Sequence, residues 1–506
     1  MKLYPSLLHR TYSIILRTLI AALLLSSPAL KGSSTDKEIA KHPDVASNLA
    51  LFEIWLQAQI AYRGLPGVSV AIVHDQELVY AKGFGYADVE AKKPMTPNSI
   101  YRIASHSKLF TAISILQLRD AGKLRLDDPI TKYLPWVKIQ EGEEDMLPVT
   151  IRHLLTHSSG LPREGGESHW TDFNFPDLKK LKAWLEDQSM IYAPETRWRY
   201  SNLATTLAGQ IIATISGKSF SDYVETEIMA PLDMDSSSVV FPNSHRSQLA
   251  TGYGRRMPDG TRERVPFVDA RIMAPATGVS SSVVDMAKFL SWQFRLREGK
   301  DTEILKATTL REMQRPHWVK SGWTHASGLG FEIYHNDARD IIGHAGGYPG
   351  YQTTTYLSPE EKVGVVVFTN ALDSSPYVGM PLSINDRIFE WIAPAIVKAV
   401  EGEEAKTPDP AWESITGTYR SLGGDGHVLA LEGELALIDP TGQNPKAGYM
   451  TLEPVSGRAF TLQGGGYGPI GEEVRFESVN NGRTETMIMS HGPSKRVTYD
   501  VPITGL

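Results

Sequence analysis

Strand-like and helix-like stretches lie in separate parts of this chain, and that separation constrains the fold most. "GVSVAIV" (from Gly67) and "LVYAKGFGYAD" (from Leu78) flank the turn "HDQE" and read as strand, turn, strand, rich in Val and aromatics. Before them, "DVASNLALFEIWLQAQIAYRGLPG" reads as a helix stopped by Gly64 and Pro66. From about 106 to 325 the pattern is mostly helical, with Pro and Gly punctuation. "GHAGGYPGYQTTTYLSPEEKVGVVVFTNA" then reverts to strands, and "PLSINDRIFEWIAPAIVKAV" closes with an amphipathic helix. The economical topology is an α/β (α+β) domain over 36–400, with one sheet built from both ends, helices on its faces and a helical lobe inserted between.

A break follows at 401–412, "EGEEAKTPDPAW", charged and carrying two prolines as linkers do. Beyond it, short alternating runs such as "GHVLALEGELALI" and "EEVRFESV" are separated by Gly-rich turns. They predict a small all-β domain over 408–506. At the other end, residues 1–30 carry Lys2, Arg10 and Arg17, an apolar run Leu19 to Leu25, then small residues. That is the form of a secretory signal, and the run is well short of the roughly 20 residues a spanning helix needs. The expectation is export to the periplasm or beyond, with no stable membrane span after signal removal; the alternative is an uncleaved anchor.

Charge and cysteine usage exclude whole classes. A net charge of −7 leaves no basic surplus to neutralise phosphates, so no nucleic-acid partner is expected. The absence of cysteine removes disulfides, thiolate metal sites and a cysteine nucleophile.

Chemistry enters at "RIASHSKLFTAISILQL", which begins at Arg102. The helix after Ser-His-Ser-Lys is apolar on nearly every side, as buried helices are. Ser105 sits at its start and Lys108 one turn on, so they share a face. The Lys108 face continues through Ala112, Ile115 and Leu116. Desolvation disfavours an ammonium, and a neutral amine beside a hydroxyl can take its proton as the oxygen attacks a carbonyl. The N–H of Ser105 itself can hold a developing oxyanion. Alone, Ser-x-x-Lys is a weak signal: Ser34 to Lys37 matches it in a polar tail. The plain alternatives are an N-cap serine and a snorkelling surface lysine.

Two further pieces follow in order. "RWRYSNLATTLAGQIIATISG" places Tyr200 and Asn202 where a helix begins. There Tyr200 can relay a proton, and Asn202 can hydrogen-bond a substrate amide or the lysine. "GHAGGYPGYQTTTYL" sets His344, Gly346 and Gly347 at the start of a strand on which small residues let a substrate backbone lie close. Gly347 N–H would be a second oxyanion donor. A packed tyrosine, a capping asparagine and a turn glycine pair beside a surface histidine are the alternatives.

Ser-x-x-Lys, Tyr-x-Asn and His-x-Gly in this order resemble the serine β-lactamase and penicillin-binding superfamily. The nearest resemblance is to class C β-lactamases, D-alanyl-D-alanine carboxypeptidases and esterases of β-lactamase fold. It spans about 60 to 400 and includes "TIRHLLTHSSGLP", "MAPLDM" and "GVSSSVVDMAKFL". The resemblance implies a β-lactamase-like sheet and an acyl-enzyme on Ser105, with Lys108 and Tyr200 sharing base and acid work. It also implies that Asn202, His344, Gly346 and Gly347 line the substrate and oxyanion side, with no metal and no cofactor. His344 stands where many β-lactamases carry lysine; a mostly neutral histidine attracts a substrate carboxylate less. That favours a D-amino-acid peptidase or a carboxylesterase over a β-lactamase, acting on a small-molecule or peptide substrate. A non-catalytic penicillin-binding or scaffold protein is the rival of another class. The segment 408–506 resembles, more loosely, the lipocalin-like domain appended to some of these hydrolases.

Other signals are discounted. His153 and His157 have helix-face metal spacing, but no glutamate follows His153, so the zinc-protease pattern fails. Gly466 to Gly471 matches a dinucleotide glycine pattern, yet it leads into a strand.

Overall fold

The computed structural model describes residues 39–140, 146–299, 302–336, 338–372, 379–464 and 470–506. The expected signal and glycines 466 and 468 lie outside them. The main sheet is antiparallel. Its strands are β1 (Gly67–His74), β2 (Glu77–Asp88), β3 (Trp318–Val319), β4 (His325–Ser327), β5 (Glu332–Asn336), β6 (Arg339–Tyr348), β7 (Tyr351–Ser358) and β8 (Val363–Thr369). The order β3-β4-β5-β6-β7-β8-β1-β2 joins late strands to early ones through the β8–β1 pair, in which Val70 faces Val367.

Both faces of the centre are covered, so β1 and β8 read as continuous apolar runs. Val68, Val70 and Ile72 enter one core; Ala71 and Val73, of opposite parity, enter the other. On the first face lie α1 (Pro43–Arg63) and α5 (Gly379–Glu401), where Trp55 meets Trp391 edge-on at 5.5 Å. Gly64 ends α1 in the left-handed conformation (φ 61) that its missing Cβ allows. The second face carries α2 (Ser107–Asp120), α3 (Asn202–Ser216) and α4 (Val283–Glu298), with Phe110, Leu207 and Phe289 in one core. Burying each such side chain stabilises by about 1.5–3 kcal/mol.

The C-terminal unit is a closed eight-stranded barrel. Its strands β9 (Gly417–Ser421), β10 (Gly424–Leu431), β11 (Glu434–Ile438), β12 (Met450–Ser456), β13 (Ala459–Gln463), β14 (Glu473–Asn480), β15 (Arg483–Met489) and β16 (Gly492–Val497) pair in sequence. Pairing of β9 with β16 closes it, leaving no free edge. Leu429, Leu431, Ala436 and Ile438 join the α1–α5 core, and Asp425 accepts from Tyr62 of α1 at 2.8 Å, fixing barrel to helix.

Two boundaries differ from expectation. Helix α5 runs to Glu401, into the predicted linker, and a short helical turn occupies Pro410–Ser414. The last strand, β17 (Ile503–Gly505), is not part of the C-terminal β domain. It pairs with β2, Gly83 opposite Thr504, and covers an otherwise open sheet edge.

Candidate functional site

Ser105 lies in a tight 3₁₀ turn, Ala104–His106, which the sequence reading merged with α2. Ala104 takes φ +54, a conformation unfavourable for a residue with a Cβ. Its neighbours hold it there. Ser107 Oγ donates to Ala104 O (2.7 Å) and accepts from Val279 N–H (2.9 Å); His106 Nδ1 donates to Ile103 O (2.7 Å). The turn leads Ser105 out of the core, while Lys108 is only 2% exposed.

Lys108 Nζ has three neighbours: Ser105 Oγ at 3.2 Å, Asn202 Oδ1 at 2.8 Å and Ala276 O at 2.7 Å. Burial lowers its pKa to about 7, with the charge of Glu164 opposing that fall. Tyr200 precedes α3, whose N-cap is Ser201, accepting from Ala204 N–H at 2.9 Å. The Tyr200 hydroxyl lies 2.8 Å from Ser105 Oγ. Burial pushes its pKa up, so it is a phenol at neutral pH. Asn202, the first residue of α3, therefore touches Lys108, and the helix cap is the serine beside it.

Strand β6 passes directly beside the Ser105 turn. A Cβ at Gly346 would stand 2.5 Å from Ile103 O and 3.0 Å from Ala104 Cβ, so only glycine lets the strand this close. Gly347 is the next residue on that strand and is exposed. His344 is buried, with its ring 6.4 Å from that of Tyr200. Its Nδ1 donates to Ala345 O (2.5 Å), which leaves Nε2 an acceptor in the neutral ring. Burial lowers the His344 pKa, with Glu332 opposing.

Three more residues complete the surroundings: His157, weighed in the sequence only as a metal ligand, and Glu332 and Glu164, which the sequence did not single out. The His157 ring packs on Tyr200 at 4.5 Å. Glu332 accepts from Tyr356 at 2.8 Å, behind His344. Glu164 has both carboxylate oxygens 3.0 Å from Asn202 Nδ2. The only sequence signal for Glu164 is its place immediately after "HSSGLPR". His153 and His157, the discounted pair, diverge. His153 closes a capping box with Thr150 and meets Glu195 at 3.0 Å, whereas His157 ends that helix in the left-handed region.

A family model described as Beta-lactamase matches residues 52–384. The chain is similar to Penicillin-binding protein 4* of Bacillus subtilis (strain 168), 26% identical over 385 residues, or 72% of this chain and 82% of that protein. It is also similar to Protein flp of Staphylococcus aureus (strain N315), 26% identical over 316 residues, or 62% of this chain and 61% of that protein. Among solved structures it resembles the octameric penicillin-binding protein homologue from Pyrococcus abyssi. That match has 26% identity and a TM-score of 0.59, and covers 88% of this chain and 99% of that one.

Proposed function

The chain belongs to the Beta-lactamase family, and from that premise we propose that it is a serine hydrolase that cleaves an amide or ester through an acyl-enzyme on Ser105. The observation that carries this reading is the convergence of Lys108 and Tyr200 on one serine hydroxyl, with Asn202 bonded to the same lysine, from segments about a hundred residues apart.

In this reading the neutral Lys108 amine takes the Ser105 proton as Oγ attacks the substrate carbonyl. A neutral amine has two N–H groups and one lone pair. Asn202 Oδ1 and Ala276 O accept the two hydrogens, which aims the lone pair at Ser105 Oγ. Charge forming on the carbonyl oxygen is met by the N–H groups of Ser105 and Gly347. The Tyr200 phenol gives its proton to the departing nitrogen or oxygen and is reprotonated from the Lys108 ammonium. Water then attacks the ester by the reverse relay.

His344 bears on the substrate class. A buried, neutral ring with an acceptor nitrogen does not attract a carboxylate as a lysine does. This favours a D-amino-acid peptidase or carboxylesterase. The names of the relatives favour acylation by penicillin as a second reading. Export rests on residues 1–30; among the described residues no helix is long and apolar enough to cross a membrane.

The test is labelling by a fluorescent penicillin and by a fluorophosphonate, with turnover of short p-nitrophenyl esters and D-amino-acid amides. Labelling and turnover abolished by Ser105→Ala support the reading. Absence of both from the wild type assigns the chain to non-catalytic binding.

A further inference from the structure

Orientation is the unsolved requirement of this site. An asparagine carboxamide has an acceptor end and a donor end of equal shape. With Oδ1 toward Lys108 it accepts one amine hydrogen, and the lone pair stays on Ser105. Turned over, Nδ2 would donate to that lone pair and the base would be spent. Some group must therefore specify the face of Asn202.

We propose that Glu164 is that group, a positioning residue whose carboxylate holds the amide nitrogen of Asn202 and so keeps its oxygen on Lys108. A carboxylate only accepts, so it selects the NH₂ end without ambiguity. Both of its oxygens lie 3.0 Å from Nδ2. Glu164 is itself held: Arg163 Nε donates at 3.1 Å, and the buried His169 Nε2 at 3.3 Å. Burial alone would raise its pKa, but the bonds from His169 and Asn202 bring it below the ordinary glutamate value, so it stays an anion while Lys108 titrates. The proposal rests on the Ser105–Lys108 reading and adds the group that enforces its geometry.

Glu164 does two separable things: it carries charge, and it selects an amide face. Glu164→Gln removes the charge but keeps a carbonyl acceptor for Nδ2; Glu164→Ala removes both. The titration of Lys108 is followed by ¹³C NMR of lysine-labelled full-length protein, its signal assigned by its loss in Lys108→Met. The expected midpoints fall in the order wild type, Glu164→Gln, Glu164→Ala, with about half a pH unit or more between the last two. In an Asn202→Ala background the Gln and Ala variants coincide. Coincidence of the two with Asn202 intact, or an equal separation without it, overturns the proposal. Should Glu164→Ala not fold, Glu164→Ser takes its place in the same comparison. The readout needs no turnover. An inactive wild type therefore sinks the proposed function, while the titration still decides the role of Glu164. For an active enzyme, Glu164→Ala lowers kcat for p-nitrophenyl acetate about tenfold or more, a partial loss of the roughly 10²–10⁴-fold that acid–base assistance supplies, leaving KM within about twofold.

Discussion

The phenolic oxygen of Tyr200 lies 2.8 Å from Oγ of Ser105, and burial keeps that phenol protonated at neutral pH. A protonated hydroxyl at that distance donates to Oγ, which leaves the serine's own hydrogen for Lys108. Proton delivery to a leaving group matters most when that group is a poor one. Tyr200→Phe is expected to slow amide cleavage by about 10²–10⁴-fold and p-nitrophenyl ester cleavage far less. Equal losses on both substrates would remove Tyr200 from the leaving-group step.

The amine that must be neutral has a pKa lowered to about 7 by burial. Activity requires the deprotonated form, so kcat/KM should rise with pH through about 7 and then level. Lys108→Ala should lower acylation by at least about a thousandfold while leaving the circular dichroism spectrum unchanged. A pH–rate profile flat from 5 to 8 would contradict the base assignment.

Ser105 and Lys108 were legible because chain spacing puts them on one turn, and the apolar residues behind Lys108 announce its burial. Tyr200 and Asn202 were legible as a pair, although the cap role first weighed for Asn202 belongs to Ser201. The apolar run of β1 was legible as a strand; that its alternate residues enter two cores emerges only from the packing. Glu164 was not legible. It reaches Asn202 across 38 residues, through a loop whose path no local pattern fixes. Glu332 depends on strand register, which places it opposite Gly343. The return of β17 was hidden for the same reason: Thr504 bonds Met95, 409 positions away. Its local pattern is that of any short strand.

Gly346 is where the β6 strand and the Ser105 turn touch. An added Cβ would meet the Ile103 backbone oxygen at 2.5 Å, which cannot retreat without moving the turn, and Thr353 Oγ1 at 2.6 Å, which would have to rotate away from its bonds to Ile103 O and Gly346 O. Gly346→Ala is expected to cost about 1–3 kcal/mol, as overpacking does, and to slow acylation by displacing Ser105. Urea midpoints and stopped-flow acylation read the two effects. Wild-type values for both would mean that strand and turn do not need their close approach.

Strand β17 caps the β2 edge through three register pairs, and the neighbouring Pro502 carbonyl accepts from Gly85 N–H at 2.9 Å. Deleting residues 503–506 opens that edge, and unpaired edge groups template association. The truncated chain should melt a few degrees lower and scatter more light at high concentration. An unchanged melting temperature would show that the barrel contacts alone hold the two units together.

His106 sits beneath the site, with no exposure and its Nδ1 bonded to Ile103 O at 2.7 Å. Burial, reinforced by the neighbouring His344, lowers its pKa to about 3. The unfolded chain takes up this proton near pH 6.5, the folded one only near 3, so between those values the unfolded state binds more protons. Stability therefore falls as pH drops through that window. From pH 7 to pH 5 this group alone removes about 2 kcal/mol. Guanidinium midpoints at the two pH values measure the loss, and His106→Gln should reduce it by most of that amount whatever its effect at pH 7. An undiminished pH dependence in the variant would mean that His106 does not contribute to the acid lability of the fold.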